Sequence, residues 1–287
     1  MPKLLRDLKS FYATNRRDLP WRRTRDPYKI LVSEVMLQQT QVERVIPKYE
    51  AFIKLFPTPS ALAKAPLSKV LAAWSGLGYN RRAKYLQASA KIIGEMEESS
   101  DKSPRNPRFA KGKAAARLLF YESSVKLPGV GPYTMQAVAA FAYNKPTLFI
   151  ETNIRTVFLY HCFQSRKHLD SLVTDKEILP LVEEALKKSR MEPRDFYAAL
   201  MDYGTYLKRS GVRLNKKSKH YNKQSKFEGS YRQLRGAIIK ALLEKSQTMD
   251  TLIDLTGRAH TDVARIVANL SSEGLVDIKN KKISIAK

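Results

Sequence analysis

The chain has 287 residues, a formal net charge of +25 and 43% hydrophobic residues. That length supports a sizeable core in two or three lobes, and a field of that sign points to a polyanionic partner, with nucleic acid the first expectation. The one cysteine, Cys162, excludes a disulfide framework, a cysteine-based zinc site and a four-cysteine iron–sulfur cluster within the chain; with no apolar run of membrane-spanning length, no lipidation motif and no signal peptide, the expected setting is reducing, cytoplasmic and nucleoid-associated, with no membrane partner.

Residues 1 to about 95 read as helices. Phe11 to Pro20 ends in Asp18-Leu-Pro-Trp-Arg22. Asp26-Pro27 reads as an N-cap followed by proline at the first helical position. Tyr28, Leu31, Val32, Val35, Met36 and Gln39 then recur at three and four, a buried stripe. A further helix spans Ile46 to Phe56 and is broken by Pro57 and Pro59. Gly76-Leu-Gly-Tyr-Asn80 is a glycine-punctuated turn leading into a basic helix, Arg81 to Ile93. Residues 97–114 are polar, basic and proline-containing, an exposed loop.

Leu127-Pro-Gly-Val-Gly-Pro-Tyr-Thr134 follows, with an Ala-rich helix from Met135 to Tyr143 starting on it. Thr147–Ile150 is short and extended, Glu151-Thr152 opens another helix with Ile154, Val157 and Phe158 inward, and Leu179–Lys188 and Phe196–Leu207 are helical. Lys208 to Lys226 carries eight Lys/Arg and no acid, a linker or a phosphate-tracking segment. From Tyr231 the character changes. Leu234–Glu244, Met249–Leu255 and His260–Ser272 are helices, and Gly274–Ile278 and Ile283–Ile285 alternate like a small hairpin around Lys279–Lys282. Three helices and a hairpin suggest a winged-helix-like domain, with a helical tail as the plainer alternative.

The Leu127–Thr134 stretch organises the functional reading. Two glycines tolerate positive φ and leave room for close approach to the main chain, and N–H groups at a turn and helix start suit a DNA phosphate. Alone it reads as an ordinary turn between helices. The basic charge and two flanking carboxylates, Glu34 and Glu151, favour the phosphate site. Glu34 has Ile30 and Leu37 on its own face, so desolvation would raise its pKa; the plainer reading is a salt-bridged surface residue. Glu151 either caps its own helix or holds a negative charge against a developing cation. Two carboxylates in different environments are what glycosidic bond cleavage needs, one as acid and one as anion beside an oxocarbenium-like sugar.

Leu19-Pro-Trp-Arg22, Pro27-Tyr28, Ser33-Glu-Val-Met-Leu-Gln-Gln-Thr-Gln-Val42, Gly76-Leu-Gly-Tyr79 and Leu127–Thr134 resemble, in order and spacing, the helix–hairpin–helix (HhH-GPD) DNA glycosylases, and Ser33–Val42 resembles the MutY-type adenine glycosylases in particular. The resemblance covers residues 5–210 or so. It implies an all-α two-lobed fold: a glycosylase domain over 1–210, with a six-helix lobe at about 25–140 and a second lobe from the N-terminal helix plus about 145–210, then a basic linker at 211–230 and the winged-helix-like α+β domain at 231–287. It implies that Glu34 protonates the leaving adenine, that Glu151 is the catalytic carboxylate and that Asn153 positions it. Tyr133 stands where bifunctional relatives carry a Schiff-base lysine, which implies a monofunctional enzyme. Arg17, Trp21, Leu37 and Ala198 fall at the base pocket, with core packing the alternative for Trp21 and Leu37. Gln38, Gln39 and Tyr79 fall where side chains fill the duplex around a flipped base. Leu127, Gly129, Val130 and Gly131, with Lys216, Lys217 and Lys219, fall at the DNA backbone. The implied partner is double-stranded DNA carrying a mismatch or lesion, bound by a monomer. No 4Fe–4S cluster is implied, and the hairpin's main-chain carbonyls leave room for a bound cation.

The chain departs from that family at four places. Glu stands for Asp at 151, roughly 1.5 Å longer. Ala198 stands where adenine enzymes carry Gln or Glu. The iron–sulfur cysteines are absent, with the Lys208–Lys226 segment in their place, and the C-terminal domain does not resemble the Nudix-like domain of MutY; a winged helix would meet DNA through His260–Ser272 and Lys279–Lys282. Three readings result: an adenine glycosylase acting opposite guanine or 8-oxoguanine, a thymine or uracil glycosylase at mismatches with guanine, and a catalytically decayed DNA-binding protein.

Overall fold

The computed structural model describes residues 1–101 (side chains to 96), 126–165, 172–221 and 226–287. Among these residues the architecture is helical with one small sheet. The chain divides into two compact units, Met1–Leu31 with Gly131–Lys223, and Val32–Val130 with Gln224–Lys287.

The first unit holds α1 (Pro2–Asn15), a 3-10 turn (Pro20–Arg22), the start of α2 (Pro27–Leu37), α7 (Pro132–Tyr143), α8 (Thr152–Cys162), α9 (Asp175–Ser189) and α10 (Pro193–Arg209). Leu4, Leu8 and Tyr12 repeat every four residues, so α1 buries a single stripe. Asp26 caps α2 as its sequence suggests: its Oδ1 accepts from Tyr28 N at 2.9 Å and Lys29 N at 3.3 Å. At α9, Thr174 and Glu177 form a reciprocal capping box, which starts the helix four residues before the apolar pattern does. α10 packs on α1 and α8, with Phe196, Tyr197, Ala199 and Leu200 fully buried.

The second unit holds the rest of α2, then α3 (Val42–Leu55), α4 (Pro59–Ala63), α5 (Leu67–Trp74) and α6 (Arg81–Asp101), followed by α11 (Tyr231–Glu244), α12 (Met249–Thr256), α13 (His260–Ser272) and a hairpin of β1 (Val276–Lys279) and β2 (Lys282–Ile285). Phe52 packs edge-on against Phe56 and Trp74, with centroids at 4.8 and 5.9 Å. The antiparallel register runs from Val276↔Ile285 to Lys279↔Lys282. Asn280 and Lys281, both at positive φ, make the two-residue turn that matches strand twist. Gln247 pairs with Ile283 through both main-chain hydrogen bonds, at 2.8 and 2.9 Å, completing the winged-helix arrangement. Lys84 Nζ fastens this segment within the unit, donating to Glu273 O at 2.7 Å and Gly274 O at 2.8 Å.

The structure revises several expectations. The N-terminal helix ends at Asn15, before the expected stretch to Pro20. Gln39 is not part of the buried stripe: α2 stops at Leu37, and Gln39 is exposed with φ 55°. Pro59 ends nothing; it starts α4, where Thr58 Oγ1 accepts from Ala61 N at 3.2 Å. The expected loop at 97–114 is helical to Asp101, and 102–114 lie outside the described residues. The basic stretch at 208–221 is no free tether: Val173 bridges Ser218, Thr156 Oγ1 donates to Asn215 Oδ1 at 2.8 Å and Lys217 Nζ to Gln164 O at 2.9 Å. Residues 222–225 lie outside the described residues.

Candidate active site

Glu151 is the N-cap of α8. Its Oε1 accepts from Asn153 N at 2.7 Å and Ile154 N at 2.9 Å, and its Oε2 accepts from Asn153 Nδ2 at 3.2 Å. The local cause is plain in sequence: an acid in extended backbone precedes a run whose Ile154, Val157 and Phe158 face the core. The helix N-terminus thus holds a carboxylate, as its dipole favours. Asn153 is fixed in turn, because its Oδ1 accepts from Lys208 Nζ at 2.6 Å. Burial lowers the Lys208 pKa, and the charge of Glu151 works against that shift. Lys208 read in sequence as one more cation of a solvated run; it is instead the far end of a three-residue relay that orients the Glu151 carboxylate.

Tyr133 is half-buried on α7, with Phe149 edge-on at 5.5 Å. Phe149 stacks on Tyr197 at 3.9 Å, and Tyr197 donates its hydroxyl to Thr147 O at 2.5 Å. Arg17 is engaged elsewhere: buried Asp202 accepts from Arg17 N at 3.1 Å and Nε at 2.5 Å, and from Arg22 at 2.7 and 2.9 Å. This bidentate cluster ties the Pro20–Arg22 turn to α10. Trp21 is buried beside Arg22 in the sequence, and Ala198 is buried on α10, one turn before Asp202. Of the basic-segment candidates, Lys216 and Lys219 are exposed and Lys217 is partly committed to Gln164.

The second unit carries the other candidates. Glu34 is 5% exposed, so it is not a surface acid. Leu37 and Gln38 are half-buried, and Gln39 and Tyr79 both take left-handed backbone, φ 55° and 49°. Arg82, which sequence reasoning passed over, holds these two turns. Its Nη1 donates to Val35 O, Met36 O and Gln38 O at 2.8, 3.1 and 2.6 Å. Its Nη2 donates to Thr40 Oγ1, Leu77 O and Gly78 O, each at 3.2 Å. Burial pushes its pKa down to about 10, still cationic at neutrality. At the Leu127–Val130 turn, Leu127 is buried and Val130 N donates to Leu127 O at 3.1 Å. Gly129 has φ +70°, and a Cβ there would meet Tyr85 at 2.9 Å, so this position needs glycine for both reasons. Gly131 is extended and serves as the N-cap of α7, leaving that helix start without a side-chain cap.

The two glycine turns, the capped acid at α8 and the buried acid on α2 are the parts of a base-excision machine. The chain belongs to the HhH-GPD superfamily of base excision DNA repair proteins, whose family model matches residues 32–181. It is similar to the adenine DNA glycosylase of Mycolicibacterium smegmatis, 44% identical over 152 residues, covering 53% of this chain and 46% of that one. It is 33% identical over 201 residues to the adenine DNA glycosylase of Buchnera aphidicola subsp. Baizongia pistaciae, covering 69% and 50%. The chain thus spans about half the length of these two relatives. Among solved structures it is similar to a thermostable thymine-DNA glycosylase, with TM-score 0.54 and 26% identity over 77% of this chain and 95% of that one.

Proposed function

We propose that the protein is a monofunctional DNA glycosylase that hydrolyses the N-glycosidic bond of a flipped-out adenine mispaired with guanine or 8-oxoguanine. The observation that carries this reading is the buried Glu34 on α2, inside a family match that also spans Tyr133, Glu151 and Asn153. The similarity to two adenine DNA glycosylases supports the base. In this reading Glu34 gives its proton to the departing adenine as the C1′–N bond breaks, and Glu151, aimed by Asn153 and Lys208, stabilises the cationic sugar until water adds to C1′. Tyr133 cannot form a Schiff base, so strand cleavage is not part of the reaction. The ligand is mismatched double-stranded DNA, drawn by the net charge.

A second reading, a thymine glycosylase at mismatches with guanine, rests on Ala198, which brings only a methyl group to α10, and on the likeness to the thymine-DNA glycosylase. Single-turnover assays on duplexes with A opposite 8-oxoguanine, A opposite G, T opposite G and U opposite G, each with and without alkali, separate the two. Alkali-dependent breaks confined to the adenine duplexes are expected. Breaks confined to the T or U duplexes would replace the first reading with the second.

A further inference from the structure

The second unit contains a cavity of about 340 Å³ that joins the turns of α2 and α6 to the C-terminal helices. Gln39, Tyr79 and Arg81 line one side, and Arg232, Arg235 and Glu273 the other. Its walls are built rather than incidental. Arg232 Nη1 donates to the Tyr79 hydroxyl at 3.1 Å, and its guanidinium lies 5.6 Å from the Tyr79 ring centroid. Arg235 grips the Glu273 carboxylate with both Nη atoms, Nη1 at 3.2 Å, and Lys84 fixes the Glu273 carbonyl. Gly236, in the middle of α11, opens onto this space, and a Cβ there would meet nothing within 4 Å. Helix-interior glycine costs roughly 1 kcal/mol relative to alanine, so a glycine facing a void has no folding reason to be there.

We propose that this cavity is a binding site for a guanine base of the strand opposite the excised nucleotide, with α11 and Glu273 reading it. The chemistry favours guanine over the other bases. Its Watson–Crick edge presents two adjacent N–H donors and one carbonyl acceptor, and the cavity offers a carboxylate beside guanidinium donors in that order of complementarity. Adenine and the pyrimidines do not present two donors side by side to a carboxylate. The site shares Gln39 and Tyr79 with a second cavity of about 570 Å³, so a base displaced by those side chains has space on either flank. The proposal rests on the base-excision reading only in taking a duplex with a vacated pair as ligand.

The test is binding alone, by fluorescence anisotropy at fixed salt, of the full chain to duplexes with a tetrahydrofuran abasic analogue opposite G, inosine, A or a second tetrahydrofuran. The wild type is expected to prefer G by about tenfold over tetrahydrofuran, with inosine between, as one carboxylate–base pair supports. Gly236→Leu fills the cavity without a clash in the helix, and Glu273→Gln removes the carboxylate. Each is expected to bring G to within about threefold of tetrahydrofuran while leaving the tetrahydrofuran duplex unchanged. An intact G preference in Gly236→Leu, no preference in the wild type, or an equal loss on all four duplexes would overturn the assignment, the last by making the cavity a phosphate site. Absence of excision on every mismatch, with the G preference intact, would sink the proposed function and leave this site standing.

Discussion

Gly204 on α10 lies directly against the main chain of Asn153 on α8: a Cβ at 204 would sit within 2.8 Å of the Asn153 Cα and closer still to its carbonyl. The obstacle is backbone rather than a mobile side chain, so it cannot step aside. Gly204→Ala is therefore expected to push α8 away from α10 and to cost about 1–3 kcal/mol, the usual range for overpacking. The Asn153–Lys208 hydrogen bond spans the same interface, so the excision rate should fall together with the melting temperature. A fully active Gly204→Ala protein with unchanged melting would mean that the two helices are not held this closely.

Arg82 holds five main-chain carbonyls and Thr40 in a half-buried setting. Arg82→Met keeps the volume of the stem and strands those acceptors. Each unmade buried partner costs roughly 1–3 kcal/mol before relaxation, so the expected loss is at least about 3 kcal/mol. Arg82→Lys keeps the charge with three donors in place of five and should fall between. Urea unfolding of the three proteins checks the order; equal stabilities would remove Arg82 as the clasp of the Gln39 and Tyr79 turns.

The parts of this fold that were legible from sequence are those set by local chemistry. Asp26 before Pro27, the 28–36 stripe, and the Val263–Val267–Leu270 face of α13 each state a cap or a period within one helix. Glu151 as a cap was legible for the same reason. What escaped depends on distant partners. Arg82 reaches Val35, 47 positions away, and a cation one turn after a glycine turn has no pattern of its own. Lys208 and Lys217 sit in a run whose local reading is solvent, yet Asn153 and Gln164 claim them. Gln39 continues the apolar period while the backbone has already left the helix, because a left-handed residue is invisible to periodicity. The guanine-sized cavity joins residues near 39, 80 and 235, and nothing short-range relates them.

Two variants of Glu151 separate capping from catalysis. Glu151→Gln keeps an oxygen for the Asn153 and Ile154 N–H groups and removes the charge. Its stability should stay within about 0.5 kcal/mol of wild type, since N-cap exchanges among acceptor side chains cost little. Excision should nonetheless fall by a factor of roughly 10²–10⁴ if the anion stabilises the sugar cation. Glu151→Asp restores the residue of similar glycosylases, so its cap is kept and its rate is expected to be equal or higher. Thermal melting and single-turnover rates of both proteins check this; a large loss in Glu151→Asp would show that the surroundings have adapted to the longer side chain.

His161 supplies a pH signature in the first unit. Burial is the main cause that lowers its pKa below the ordinary 6.5, with Asp7 pulling weakly the other way, and its Nε2 lies 3.1 Å from the Tyr203 hydroxyl. The sign follows from linkage. Above pH 6.5 the ring is neutral in both states and contributes no slope. As pH falls through that value the unfolded chain binds the proton first, so stability drops until pH passes the lower folded value. His161→Phe removes the site. Its stability relative to wild type should therefore improve steadily from about pH 7 to about pH 5, readable by urea unfolding across that range. A difference between the two proteins that does not change with pH would mean that the ring titrates alike in both states.

Glu34 offers the cleanest test of the chemistry. At 5% exposure it sits in the buried face of α2 between Ser33 and Val35, so the isosteric Glu34→Gln should pack in its place with little change in melting temperature. An amide cannot deliver a proton to the leaving base, and general-acid assistance contributes roughly 10²–10⁴-fold. The expected result is a single-turnover rate lower by that factor on the best adenine mismatch, with duplex affinity within about threefold of wild type, since the phosphate contacts that dominate binding are untouched. The pH profile carries a second readout: the wild-type rate should fall as pH rises and the acid loses its proton, while the residual rate of Glu34→Ala, which has no proton to give, should be flat. Full activity in Glu34→Gln would take the proton donor away from α2 and leave the buried acid as a structural residue.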